Sequence, residues 1–377
     1  MNFEHQVDRS DQSRLLHGKR LIPSVFDYHQ PSRADIFDHL FVSHFFESFG
    51  FKPSTPGRQP PTWLDQLGTM IVSPGPDLVN YSIRAASMHF YGTLAGDISI
   101  RTEACRWYST ALRGLQSLLS EKTTQFTADV ICATVMLTHF ENLAETSGDA
   151  WIQHIQGAAM MLETCGPEGC QDGFLHQLFR HLRLLTFVAA LLRNEQHTFA
   201  SSTWIMIPFE THPQTAFGQL VDILFSMLPC LLVAENATQS MAGQYDSLIA
   251  KLNSMTLRLM SQLHTWWMQY ISAAAPLEMN VGQWHNASSQ AEIGGYSDPG
   301  LSPLPPYSDM PTAALGSLYD AANVIVLRVL YFVSPCAHLY EERIQRHAQS
   351  IQSAKEFIAA IPNPASGRGT VMVELPL

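Results

Sequence analysis

The sequence predicts an all-α protein, built as a multi-helix bundle or an irregular superhelical stack of helix hairpins. Three observations carry that prediction. Apolar residues recur at steps of three and four through almost every segment from about Ala34 onward. No stretch alternates apolar and polar residues for long enough to form a sheet. Gly and Pro fall where periodic segments stop, most plainly at Gly166-Pro167.

The elements follow in chain order. Residues 1–33 are polar and mixed in charge and read as a flexible N-terminal segment. In "RADIFDHLFVSHFFESF", Ile36, Phe37, Leu40, Phe41, His44 and Phe45 form one stripe, and a loop rich in Pro and Gly follows from Lys52 to Pro61. The next stripe runs through Leu78, Tyr81, Ala85, Met88 and Tyr91, with a stop at Gly92 to Gly96. A third helix turns Ala104, Tyr108, Ala111, Leu115 and Leu118 inward, and "FTADVICATVMLTHFENLAE" forms a fourth. In the fifth, Ser147 or Asp149 is placed to cap the first amides, and Trp151, Ile155, Ala158 and Leu162 make the apolar face. Gly166 suits the left-handed position that ends a helix, and Pro167 blocks continuation. Beyond it lie "GFLHQLFRHLRLLTFVAALLRNE", "FASSTWIMIPFE", "AFGQLVDILFSMLPCLLVAE" and a long helix from about Met241 to Ala274. Residues 276–311, crowded with Gly, Pro and Ser, read as a flexible loop. Helices at about Ala313–Ser334 and Ala337–Ile361 close a helical domain spanning 34–361, before a tail over 362–377.

Composition bounds the function. The chain has 377 residues, 46 % of them hydrophobic, enough for a substantial core. Its formal net charge of −11, with only 22 Lys and Arg, gives no counterion-release drive toward nucleic acid or anionic lipid. Direct nucleic-acid binding is therefore not expected. The N-terminus lacks the apolar segment and cleavage site of a secretory signal. Runs such as "LRLLTFVAALLR" and "LVDILFSMLPCLLVA" fall short of the ~20 residues that cross a bilayer, so no membrane association is expected.

Several residue patterns bear on chemistry. Six cysteines, Cys105, Cys132, Cys165, Cys170, Cys230 and Cys336, are scattered too widely for a disulfide framework. Three helical turns separate His154 from Cys165, ~16 Å, which excludes a shared metal site. A Cys165–Cys170 bridge is conceivable across the turn, but an ordinary helix end is the preferred reading. No nucleophile elbow, His-Glu-x-x-His, phosphate loop or dinucleotide fingerprint occurs, so no catalytic residue, metal or cofactor is assigned. His139, beside Phe140-Glu141, is the best histidine–carboxylate candidate, although a structural histidine is favoured. Trp266, Trp267 and Tyr270 either line a ligand pocket together with His139 or fill the core, and core is favoured.

The order of features in "DVICATVMLTHFENLAETSGDAWIQHIQGAAMMLETCGPEG" resembles the regulatory domain of fungal transcription factors of the zinc binuclear cluster class. That pattern is an apolar helix ending in an acid, then Trp-x-x-His-x-x-Gly-Ala, then a Gly-Pro stop. It corresponds here to Glu141, Trp151, His154, Gly157, Ala158, Gly166 and Pro167, and continues through Trp204, Pro208 and Pro229. These positions read as packing determinants. Gly157 and Ala158 would let a neighbouring helix approach, and Trp151 and His154 would present N–H groups to it. Members of that class carry a compact six-cysteine zinc module that docks in the major groove. The six cysteines here span Cys105 to Cys336 and cannot build it, so the DNA reader is expected to be absent or supplied by an upstream exon.

The resemblance implies a nuclear transcriptional regulator that works through protein contacts with transcription machinery or a DNA-binding partner protein. A homo- or heterodimer is among the assemblies it allows. The alternative is an α-helical metabolite-binding protein or enzyme descended from the same fold.

Overall fold

A computed structural model describes residues 33–49, 63–64, 66–67, 77–120, 126–240, 242–274, 310–334 and 337–360. The expected N-terminal segment, the Pro- and Gly-rich loop over 52–61, most of the 276–311 loop, the tail and Cys336 lie outside those residues, as do the side chains of Ile36 and Phe37. Every extended element described is a helix, and none is a strand. They are α1 (Arg33–Phe49), α2 (Asp77–Ala95), α3 (Ile98–Ser120), α4 (Ala128–Ala144), α5 (Ala150–Gly169), α6 (Gly173–Arg193), α7 (Ser202–Met206), α8 (Ala216–Phe225), α9 (Leu228–Gln239), α10 (Ala242–Ala274), α11 (Met310–Val333) and α12 (His338–Ala360).

The helix ends follow the local chemistry. Gly96, at φ 67°, ends α2, and the Asp97 carboxylate then accepts from Ser99 N at 2.8 Å and Ile100 N at 3.2 Å to start α3. Asp172 caps α6 through Gly173 N, and Asn194 closes it in the left-handed region. At α5 the expected cap is not made. Asp149 occupies the N-cap position, but its carboxylate accepts from Gln153 and Ser147 side chains instead of a backbone amide. Gly166, at φ 75°, breaks the regular helix where the Gly-Pro stop was expected.

Helix α4 is the hub of the core. Every residue from Ile131 to Glu141 is buried, so its apolar character runs round the whole helix and not along one stripe. Thr134 and Thr138 enter that core by donating to the carbonyls of Val130 and Thr134 one turn back. Around α4 pack α2, α3, α5 and α6, with α1 against α2. The chain then proceeds as a stack, α6 on α8, α9 on α10, α10 on α11 and α11 on α12.

Several register details differ from the sequence expectation. Leu40, placed on the inward stripe of α1, is 48 % exposed while Phe41 and Phe45 are buried. The "AFGQLVDILFSMLPCLLVAE" segment is two helices, broken at Ser226-Met227 ahead of Pro229. The 276–311 loop is too long by two residues, because α11 starts at Met310. The apolar runs are also longer than expected: Ala216–Gln239 and Met310–Val333 both have the length and apolarity of a bilayer span. The most apolar 18-residue stretch is half buried inside the protein in the first and two-thirds buried in the second.

Candidate functional site

A buried polar network surrounds Glu141 at the end of α4. Glu145 takes the left-handed conformation (φ 47°, ψ 46°) and its N–H donates to Glu141 O at 2.8 Å. That turn folds Thr146 back beneath the glutamate. Thr146 donates its backbone N–H to Oε2 at 3.2 Å, and its hydroxyl lies 2.7 Å from Oε1 and 2.6 Å from Oε2. From α3, the Tyr108 hydroxyl donates to Glu141 Oε1, and its oxygen lies 3.1 Å from His154 Nε2 on α5. Glu141 is only 2 % exposed. One carboxylate therefore joins α3, α4, the 145–149 loop and, through Tyr108, α5.

The proton count fixes the roles. Tyr108 has one hydroxyl proton and gives it to the carboxylate, so its oxygen must accept from a protonated Nε2 of His154. Burial pushes the Tyr108 hydroxyl well above its ordinary value, and the hydrogen bond and charge of Glu141 push it the same way. Burial lowers His154, partly opposed by the Glu141 charge, so the imidazole is neutral with its proton on Nε2. Tyr108 also stacks on Phe140, with ring centroids 4.1 Å apart, and His89 of α2 meets the other side of that ring edge-on at 5.1 Å. Burial and then the Arg101 charge lower His89, with Glu141 opposing.

This network brings together Glu141 and His154 of the sequence pattern. The rest are elsewhere. Trp151 is half-buried, Ala158 fully buried, and Gly166 and Pro167 form the kink of α5. Trp204 packs against Phe179 and Phe199, Pro208 is buried in a short 3₁₀ turn, and Pro229 sits in the first turn of α9. Gly157 does not serve a close approach, since a Cβ built there meets nothing within 4 Å. The tight contact is at Gly92, where a Cβ would lie 2.8 Å from Arg101 Cγ and 3.1 Å from Arg101 N.

Among the described ring contacts, the suggested pocket residues fall into two groups. His139 stacks on Trp63 (5.5 Å, 7°) and His181 (5.4 Å) and meets Phe45 edge-on. Its link to the neighbouring Glu141 is not made, because residues two apart on a helix face different ways. Trp266 and Trp267 are buried and stack with Tyr270 and with Tyr319 of α11, and Trp266 Nε1 donates to Ala216 O at 2.9 Å. Burial alone lowers His139 to about 4, and burial with the nearby His139 lowers His181 well below its ordinary value.

Two features escaped the sequence. Tyr108 and Thr146 complete the Glu141 network from positions that no spacing connects. Arg183 was more legible, a cation on the apolar face of α6. It is buried among Phe179, Phe209 and Phe225, and donates to Asp222 and to Gly218 O.

Chemically, the Glu141 network ties helices together and offers no activated nucleophile. Cys105, Cys132, Cys165, Cys170 and Cys230 are free thiols, with burial pushing Cys170 up to about 12. Among the described residues no group of three His, Cys, Asp or Glu side chains is arranged to hold a metal ion. His154 turns to Tyr108 and not to either thiol of the Cys165–Cys170 turn.

Comparison with known proteins then places this architecture. The fungal specific transcription factor domain family matches residues 55–278, more than half of the chain, and so includes the Glu141 network, the Trp63–His139–His181 stack and all of α10. An uncharacterized protein of Emericella nidulans is 28 % identical over 169 residues, 44 % of this chain and 35 % of that protein. The chain thus matches about a third of the length of that curated relative. No solved structure matches.

Proposed function

The chain belongs to the fungal-specific transcription factor domain family, and from that premise we propose that it is a nuclear transcriptional regulator acting through protein contacts, without catalysis. The supporting observation is the family match over residues 55–278, within which two residues of the family pattern, Glu141 and His154, serve as joints between helices. Residues built into joints make a scaffold whose outer surface is left for partners. The partners in this reading are transcription machinery or a DNA-binding protein, with homo- or heterodimerisation as the means of assembly. A net charge of −11 favours recruitment by protein over unaided contact with phosphate.

The test is recovery of partners from nuclear extract with the full chain as bait, together with transcript profiling after gene deletion. Co-recovery of a DNA-binding protein and a coherent change in transcripts are expected. Exclusion of the chain from nuclei, with unchanged transcripts, would overturn the reading.

A further inference from the structure

The 145–149 loop, Glu-Thr-Ser-Gly-Asp, joins an exposed hydroxyl residue to a buried carboxylate. All five residues are exposed, yet the Thr146 side chain reaches inward to place its hydroxyl within 2.7 Å of both Glu141 oxygens. Acidic groups flank it on both sides, Glu145 immediately before and Asp149 three residues after. We propose that Thr146 is a phosphorylation site for a Ser/Thr kinase that selects acidic residues after its acceptor, and that phosphate there opens the Glu141 network.

The chemistry is ordinary phosphoryl transfer from ATP. Thr146 Oγ1 attacks the γ-phosphorus, the new O–P bond forms as the bond to the β-phosphate oxygen breaks, ADP leaves, and the hydroxyl proton passes to the base of the kinase. The loop runs from the left-handed residue Glu145 to the start of α5, so it can be drawn out without unwinding either helix. The Thr146 bonds to Glu141 must open, and the loop's own contacts, Ala150 N–H to Ser147 O at 3.4 Å and Ser147 Oγ to Asp149 Oδ1 at 3.3 Å, are long.

The consequence follows from charge. Before modification the hydroxyl donates to the carboxylate; afterwards the same position has no proton to donate and carries about −1.5 to −2. That charge faces a carboxylate with 2 % exposure, whose partners are Tyr108 and Thr146 itself. A helix N-terminus would ordinarily welcome phosphate, but the attraction falls off within the first turn. Thr146 lies three residues before the N-cap, and Asp149 already places a carboxylate there. Repulsion therefore dominates, the loop leaves Glu141, and the Tyr108–His154 link between α3 and α5 loses its anchor. A kinase signal is thus converted into loosening at the joint of the family pattern.

The full chain is treated with an acid-directed Ser/Thr kinase and ATP-Mg, sites are mapped by mass spectrometry, and the same mapping is applied to chain isolated from fungal cells expressing it. Phosphate is expected on Thr146 in both samples. It should be absent in Thr146→Val, reduced about 10-fold in Asp149→Asn and unchanged in Ser147→Ala, each first verified as folded by its melting transition. Phosphorylation should lower the thermal midpoint by about 3 °C and increase proteolytic cleavage within 145–149. If Asp149→Asn fails to fold, Asp149→Ser, which keeps an N-cap oxygen without the charge, supplies the acidic-determinant test. Phosphate confined to other residues, or phospho-Thr146 with an unchanged midpoint and cleavage pattern, overturns the proposal.

Discussion

The Glu141 joint and the C-terminal hairpin of α11 and α12 both bury a carboxylate beside a histidine, but they do so with different redundancy. Glu141 has protein donors on both oxygens, drawn from α3 and from the loop that leads into α5. Asp320 of α11 is equally buried, and its Oδ1 lies 2.7 Å from His347 Nδ1 of α12, while Oδ2 has no hydrogen-bond partner among the described residues. The first carboxylate sits at the meeting point of several helices; the second fastens α12 to α11, on which α12 principally packs. Helices α11 and α12 also lie beyond the family match at residue 278. A buried charge held from several sides is part of the cooperative core, whereas one held from a single side is a clasp that opens locally.

The largest expected effect is Glu141→Ala. It removes the acceptor of the Tyr108 and Thr146 hydroxyls and of a backbone amide, at a cost of about 4 kcal/mol. Urea unfolding should show a lower midpoint for the whole molecule. A loss confined to the 145–149 loop by hydrogen exchange would break the contrast with the hairpin. Next comes His347→Leu, which strips Asp320 of its only described partner and should cost about 3 kcal/mol. Hydrogen exchange should then rise across 338–360 while α4 keeps its protection. Equal loss in α4 would show that the hairpin belongs to the same cooperative unit.

Acid acts on the core around α4 by another route. His139 is held near 4 by burial, and His181 is lowered in the same direction. The unfolded chain binds these protons at the ordinary histidine value of about 6.5, and the folded chain does not. The associated stability is therefore complete above that value and is lost as pH falls from about 6.5 toward 4. For His139 the loss at pH 5 is about 2 kcal/mol. Urea midpoints at pH 7 and pH 5 measure it, and His139→Phe should shrink the difference, leaving the part due to His181. A midpoint equally acid-sensitive in that variant would rule out His139 as the source.

The legibility of this molecule in its sequence follows the same divide between periodicity and long-range contact. The all-α class and the stop at Gly166-Pro167 are written in local spacing, and so were readable. The inward face of α3 was readable for the same reason, through Ala104, Ala111 and Leu115. Family order pointed to Glu141 and His154 but not to what they touch, because their common partner Tyr108 lies 33 residues before one and 46 before the other. Leu40 was misplaced because a stripe of this width continues past the edge of the buried face. The described ring contacts join His139 to Trp63 and His181 and join Trp266 and Trp267 to Tyr270 and Tyr319, and ring chemistry alone does not say which helices meet.

The two glycines give the smallest effects and the sharpest test of that lesson. Both lie in helices, and helical propensity alone favours alanine at each by up to about 1 kcal/mol. At Gly157 the added methyl meets open space, so Gly157→Ala should stabilise the protein by about 0.5 kcal/mol despite its place in the family pattern. At Gly92 the methyl would press on Arg101 Cγ, on Arg101 N and on Asp97 O at 3.2 Å. Two of those atoms are backbone at the α2–α3 turn, which cannot swing aside as a side chain does. Gly92→Ala should therefore cost about 1 to 2 kcal/mol, a change of sign between two chemically identical substitutions. Urea midpoints of the two variants decide it. If Gly157→Ala destabilises and Gly92→Ala does not, the close approach belongs to α5 after all, and the packing of α3 over α2 described here is wrong.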